Sequence, residues 1–176
     1  MSMFPIASTG VLGNVLSYNF TNIPQNFTHL QLRISGRSSN AGVTNAILMQ
    51  FNGDYLGTNY TTHALYGDGS AAYSANPDLS STFMQVGVLS GSSATTNVFG
   101  GGIVDILDYT STTKTKTIRY IGGVDNNGSG RAQLGSGFWN ISPIAGITTI
   151  GLYVANWVAG SRVDLYGIQT SNATGA

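Results

Sequence analysis

Residues 27–35 read FTHLQLRIS. Leu30, Leu32 and Ile34 recur at every second position with Gln31 and Arg33 between them, so a strand here covers a core with one face and shows water the other. Such one-sided strands belong to antiparallel sheets, because parallel sheets are covered on both faces. The same reading extends outward. Through 45–51 the side chains of Ile47, Met49 and Phe51 stay in phase, and the run stops at Asn52-Gly53-Asp54, where residues tolerant of positive φ permit a tight reversal. Further strands are read at 83–89, 98–109, 114–121, 131–139, 148–154 and 163–168, and eight to ten short strands at this spacing make a sandwich or a barrel. Asp125-Asn126-Asn127-Gly128-Ser129-Gly130 is a second strong turn, and the strands on either side of it are expected to form a hairpin. Lys114 and Lys116 fall in phase with Ile118, which places them at a strand edge, where Lys discourages unwanted pairing. The expectation is an all-β antiparallel β-sandwich, one domain over 1–176 with a frayed tail at 170–176.

Composition removes the competing classes. Gly, Ser, Thr and Asn supply 77 of the 176 residues, Glu is absent, and Lys114 and Lys116 are the two lysines, so long amphipathic helices are not expected. The formal net charge is zero with 8% charged residues, which denies nucleic acid its usual electrostatic footprint. An apolar fraction of 41% supplies a core that disordered chains lack. No apolar stretch approaches 18 residues, so no membrane partner is expected, and the start has neither the basic nor the apolar region of a secretory signal. Without cysteine there is no disulfide and no thiolate metal site, leaving stability to packing, including packing between subunits. Low charge itself favours an oligomer, because interface cores are depleted in charge.

The inventory for chemistry is small: seven Asp, two His, no Glu and no Cys. Asp105 and Asp108, three positions apart along a strand, point to opposite faces and read as polar strand ends rather than a glycosidase pair. His29 and His63 lack the spacing of a zinc motif, and no G-x-S-x-G occurs. Asp125, Asn127, Ser129 and Gly130 match the first half of a calcium loop, but Ser136 stands where its bidentate Glu would be, so a plain hairpin turn is the preferred reading. Six N-x-S/T sequons, beginning at Asn19, Asn26, Asn59, Asn127, Asn140 and Asn172, are what an Asn-, Ser- and Thr-rich chain produces by chance. No enzyme activity, metal or cofactor is expected.

Between 57 and 81 the alternation dissolves, and the segment reads as a long loop carrying Tyr60, His63, Tyr66 and Tyr73. Three roles are open for these aromatics: packing over the sandwich, a contact between subunits, or a platform for sugar rings.

Several motifs occur together: FNGD at 51–54, YTTHALYGDGS at 60–70, IVDILDY at 103–109, GGVDNNGSG at 122–130 and VDLYGI at 163–168, with PIAS at 5–8 and FTNIP at 20–24. As a set they resemble a widespread family of small structural proteins of tailed phages, frequent in cyanophage-like phages and also found as a domain at the ends of fibre proteins. The resemblance spans nearly the whole chain. It implies a jelly-roll sandwich, no catalytic residues, and a decoration or cement protein on the capsid exterior, often a trimer, with the major capsid protein as partner. On this reading the segment 1–10, apolar at Met3, Phe4, Pro5 and Ile6, is an extended arm anchoring the protein to the capsid or to a neighbouring subunit. The alternative is a carbohydrate-binding head of a fibre or tail, with Tyr60, His63, Tyr66 and Trp139 or Trp157 stacking on sugars.

Overall fold

The computed structural model describes residues 2–170, and of residues 76–80 the backbone alone. The described strands are β1 (Ser2–Ser8), β2 (Val15–Phe20), β3 (His29–Gly36), β4 (Thr44–Phe51), β5 (Tyr60–Gly67), β6 (Ala72–Ser81), β7 (Met84–Ser90), β8 (Gly100–Ile106), β9 (Lys116–Asp125), β10 (Gly130–Trp139), β11 (Ile150–Trp157) and β12 (Arg162–Gln169). They form two antiparallel sheets packed as a β-sandwich, an eight-stranded one in the order β1-β12-β3-β8-β9-β10-β5-β6 and a four-stranded one in the order β2-β11-β4-β7. Four antiparallel pairs nest along the chain: β4 with β7, inside β3 with β8, inside β2 with β11, inside β1 with β12. The hairpins β5–β6 and β9–β10 are insertions in this nest, and both widen the larger sheet beyond β8.

Alternation positions the core as expected. Leu30, Leu32 and Ile34 of β3 are buried in one cluster with Ile47, Met49 and Phe51 of β4, Val104 and Ile106 of β8, Ile150 and Leu152 of β11, and Val163 and Leu165 of β12. The turn after β4 has positive φ at Asn52 (52°) and Gly53 (67°) and is closed by a 2.9 Å bond from the Asp54 N–H to the Phe51 carbonyl. It does not close a hairpin; it carries the chain from the narrow sheet to β5 in the wide one. The second turn does close a hairpin, pairing Gly130 with Asp125.

Three expectations are corrected. Residues 57–81 are a hairpin, not a loop: the inward positions of β5 are Tyr60, Thr62 and Ala64, all buried, while Leu65 faces solvent. Polar Thr62 inside and apolar Leu65 outside erase the usual alternation, and β6 is an edge strand, where Pro77 is tolerated. Residues Ser2–Ser8 are not a detached arm but the opposite edge strand, laid antiparallel on β12. Glycine is required at 167, opposite Phe4, because the Phe27 ring stands 2.3 Å from where a Cβ would lie, and Phe4 packs on that ring at 5.8 Å. Finally, β9 lies in the middle of the wide sheet, so Lys116 is no edge guard. Its chain is buried, its ammonium donates to the carbonyls of Ser111 and Lys114, and burial holds its pKa below the ordinary lysine value. Of the expected tail at 170–176, all but Thr170 lies outside the described residues.

Two hidden polar devices secure the ends of the sandwich. Arg37 spreads its guanidinium over four carbonyls, those of Ser92, Ala94, Thr95 and Val98 (2.7–3.3 Å), and so holds the 91–98 loop in place. Asp54 accepts the indole N–H of fully buried Trp139 at 2.7 Å and the Asn59 amide at 2.8 Å. Burial pushes its carboxyl up, yet bonds from Trp139, Asn59 and the Leu56 N–H outweigh this and hold it below the ordinary value of 3.8. The stability it contributes is therefore complete above that value and lost as pH falls through the depressed one. Asp54→Ala, which strips the buried indole of its acceptor, is expected to lower stability to urea by about 2 kcal/mol at neutral pH. The deficit should shrink below pH ~3.8, and an equal deficit at acid and neutral pH would contradict this account.

Candidate functional site

The outer face of the wide sheet is more apolar than a solvated face needs to be. Leu65 (56% exposed), Leu134 (51%), Ile121 (61%) and Ile103 (38%) stand on β5, β10, β9 and β8 in the phase opposite to the buried set. Register places them directly side by side: Leu65 opposes Leu134, Leu134 opposes Ile121, and Ile121 opposes Ile103. At about 4.8 Å per strand they make an aliphatic ridge roughly 15 Å long. Next to it runs a trough of residues with little or no side chain, Gly67, Ala132, Gly123 and Gly101, also in lateral register. The charges that border the ridge are paired or stacked. On the flank away from the trough Arg119 meets Asp105 at 2.8 Å, and at the β3 and β12 end of the rows Arg162 meets Asp164 at 2.8 Å and Arg33 lies 5.4 Å over the Tyr166 ring.

A second feature sits at the end of the sandwich. The β5–β6 and β9–β10 turns wall a groove of about 1190 Å³ whose lining includes Thr44, Tyr66, Asp68, Ser70, Asp125, Ser129 and Arg131. The Arg131 guanidinium lies 3.7 Å over the Tyr66 ring, and Tyr66 stacks on its cross-strand partner Tyr73 at 4.9 Å. Asp68 closes the β5–β6 turn by accepting the Ser70 N–H, the Ser70 hydroxyl and the Ala71 N–H at 2.7–2.9 Å. Those bonds hold its carboxyl far below the usual range, and its charge in turn pushes the Tyr73 phenol up.

The residues singled out in the sequence scatter. Tyr66 and Tyr73 come together at the groove. Tyr60 is fully buried, stacked on Trp139 at 6.3 Å with its hydroxyl bonded to the Phe51 backbone, and burial raises its pKa. Neither Tyr60, Trp139 nor Trp157 reaches the surface, so none of the three can serve as a sugar platform. His63 is exposed on the outer face, opposite Ser136. In β1, Ile6 packs on the body of the sandwich and Phe4 on the Phe27 ring, while Met3, Phe4 and Pro5 all remain exposed along the edge strand.

The sparse acid–base groups are structurally engaged. Asp105 also accepts the Gln31 amide at 2.8 Å; Asp108 pairs with Lys114 at 2.7 Å, which holds its pKa low, and its own N–H donates to His29 Nδ1. Asp125 accepts the Asn127 N–H inside a plain hairpin turn. Among the described residues no three metal-ligating side chains stand together.

The ridge and Arg131 were not singled out in the sequence. The signal for the ridge was parity: in the alternation of β9, Ile121 falls on the face of Thr117 and Arg119, not on that of Ile118 and Tyr120. For the Tyr73 environment the expected outcome is that Asp68→Asn lowers the Tyr73 phenol pKa toward 10.0, followed by NMR titration of the phenol carbon; an unchanged titration would contradict the contact. No protein-family model, curated protein or solved structure matches the chain.

Proposed function

We propose that this is a non-enzymatic virion structural protein, a decoration or cement protein that docks on the outside of a tailed-phage head through the outer face of its wide sheet. The observation that carries the reading is the exposed aliphatic ridge with its glycine trough and its rim of already paired charges. That is the anatomy of a protein interface: an apolar centre, a polar border rich in Arg, and no charge left over at the core. The nested strand pairs support it too, since nested antiparallel pairing is what the jelly roll implied by the family resemblance would require. The major capsid protein is the proposed partner, and the capsid exterior the proposed location.

Magnitudes favour an oligomer. Fully burying one aliphatic side chain returns about 1.5–3 kcal/mol, so four half-exposed ones return roughly 3–6 kcal/mol together. Association costs of the order of 4–15 kcal/mol in lost freedom, so one ridge alone holds weakly. Several ridges presented by one oligomer, a trimer on the family reading, bind together and gain by effective concentration. Bridging neighbouring capsomers in this way raises the free energy needed to split the shell.

The double variant Ile121→Asp/Leu134→Asp tests this on purified heads. Both positions are exposed, so the melting temperature is expected to stay within a few degrees of the parent. Occupancy on heads is expected to fall by about a hundredfold or more, a tenfold loss for each ~1.4 kcal/mol removed. Parental occupancy with both carboxylates in place would sink the docking face.

A further inference from the structure

We propose that the groove between the β5–β6 and β9–β10 turns binds an acidic saccharide, with Arg131 taking the sugar carboxylate.

The case begins with how the cations of this chain are used. Arg119 and Arg162 each pair with an aspartate, Lys114 with Asp108, Arg37 and Lys116 with backbone carbonyls, and Arg33 with the Gln31 amide oxygen. Arg131 differs from all of them: among the described residues its guanidinium has no hydrogen-bond acceptor and no carboxylate within ion-pair distance, and its Nε is buried without a partner. A buried unsatisfied donor calls for an explanation. The flat face of the guanidinium is taken by Tyr66 at 3.7 Å, and Tyr73 backs Tyr66 from the far side. What remains is the N–H edge of a cation whose orientation is already fixed by a stack of two rings, so little freedom is lost on engaging a ligand.

The lining selects the ligand. A guanidinium edge matches a carboxylate with two parallel N–H···O bonds. Asp68 and Asp125 line the same groove, so with Arg131 the formal lining charge is negative, which disfavours any ligand with several negative charges, polyphosphates, nucleic acid and polyuronates alike, and leaves room for a single carboxylate. Hydroxyl donors are what carboxylates and the hydroxyls of Thr44, Ser70 and Ser129 accept, and Asp125 spends one oxygen on the Asn127 N–H, leaving the other without a bond among the described residues. One carboxylate among many hydroxyls is the chemistry of a uronic acid. At about 1190 Å³ the groove exceeds the usual 300–1,000 Å³ of a small-ligand pocket, which suits an oligosaccharide rather than a single ring. The groove shares with the proposed docking face only the trough residues Gly67, Gly123 and Ala132. It uses none of the ridge side chains, and binding by the free chain in solution tests it separately from docking on the capsid.

Titration calorimetry of the full chain with sugar trimers that carry a single galacturonate or glucuronate among neutral sugars, and with their methyl esters, tests it. At least one trimer is expected to bind with a Kd of about 1 mM or tighter, and its ester at least ~10-fold more weakly. Arg131→Gln should abolish that preference with the unfolding transition unchanged; should it fail to fold, Arg131→Lys, which keeps the charge and loses the fork, is expected to weaken the acid by a similar factor. Equal affinity for acid and ester, parental binding by the Arg131 variant, tripolyphosphate binding as tightly as the trimers, or no binding of either trimer at ~10 mM each overturns the proposal.

Discussion

A four-stranded sheet cannot cover an eight-stranded one. At about 4.8 Å per strand the wide sheet spans roughly 38 Å and the narrow one roughly 19 Å, so about half of the inner face has no opposing sheet. Strands β5 and β6 form one edge of the wide sheet, beside β7 of the narrow one. Their inner surface is closed instead by aromatic side chains: Tyr60 stacked on Trp139 under the turn held by Asp54, and Tyr66 stacked on Tyr73 with Arg131 laid over it. Toward the narrow sheet this closure is complete, with Tyr60 and Trp139 fully buried. At the far end it is open, and there the groove lies. There the start of β4, at Thr44, faces the β5–β6 and β9–β10 turns across the groove.

The same width creates the outer face. Six strands, β5, β10, β9, β8, β3 and β12, contribute to the exposed face, and on it the aliphatic side chains of four neighbouring strands fall into one row because the antiparallel register aligns them. Charges are so few that their placement is informative. Three of the five arginines border that row, each with a partner on the same face, which gives a rim that keeps solubility without opposing contact with a neutral surface.

Much of the fold was legible in the sequence, and where it was not the physical cause is specific. β3 and β12 alternate apolar residues with polar ones along most of their length, and β4 keeps Ile47, Met49 and Phe51 in phase, so their position and phase follow from the pattern. β5 was illegible because its inner face carries Thr62 and Ala64, and its outer face Leu65, an inversion that a two-state polar code reads as a loop. β1 was illegible because an edge strand exposed along most of its length has no phase to read. Lys116 misled because a buried lysine capped by backbone carbonyls looks in sequence like a solvated one. The candidate site was less accessible still. Tyr66 and Tyr73 stood out as aromatics, but Arg131 joins them through a strand contributed 65 residues beyond Tyr66, and the ridge arises from lateral register across four strands, which alternation along any one of them does not specify.

Cryo-electron microscopy of the intact particle that carries this chain tests the docking account most directly. The account predicts many icosahedrally arranged copies on the outer shell, with Ile103, Ile121 and Leu134 turned into density of a neighbouring protein. A few copies confined to the tail or fibres, or a shell-bound protein whose wide sheet faces solvent, would contradict it.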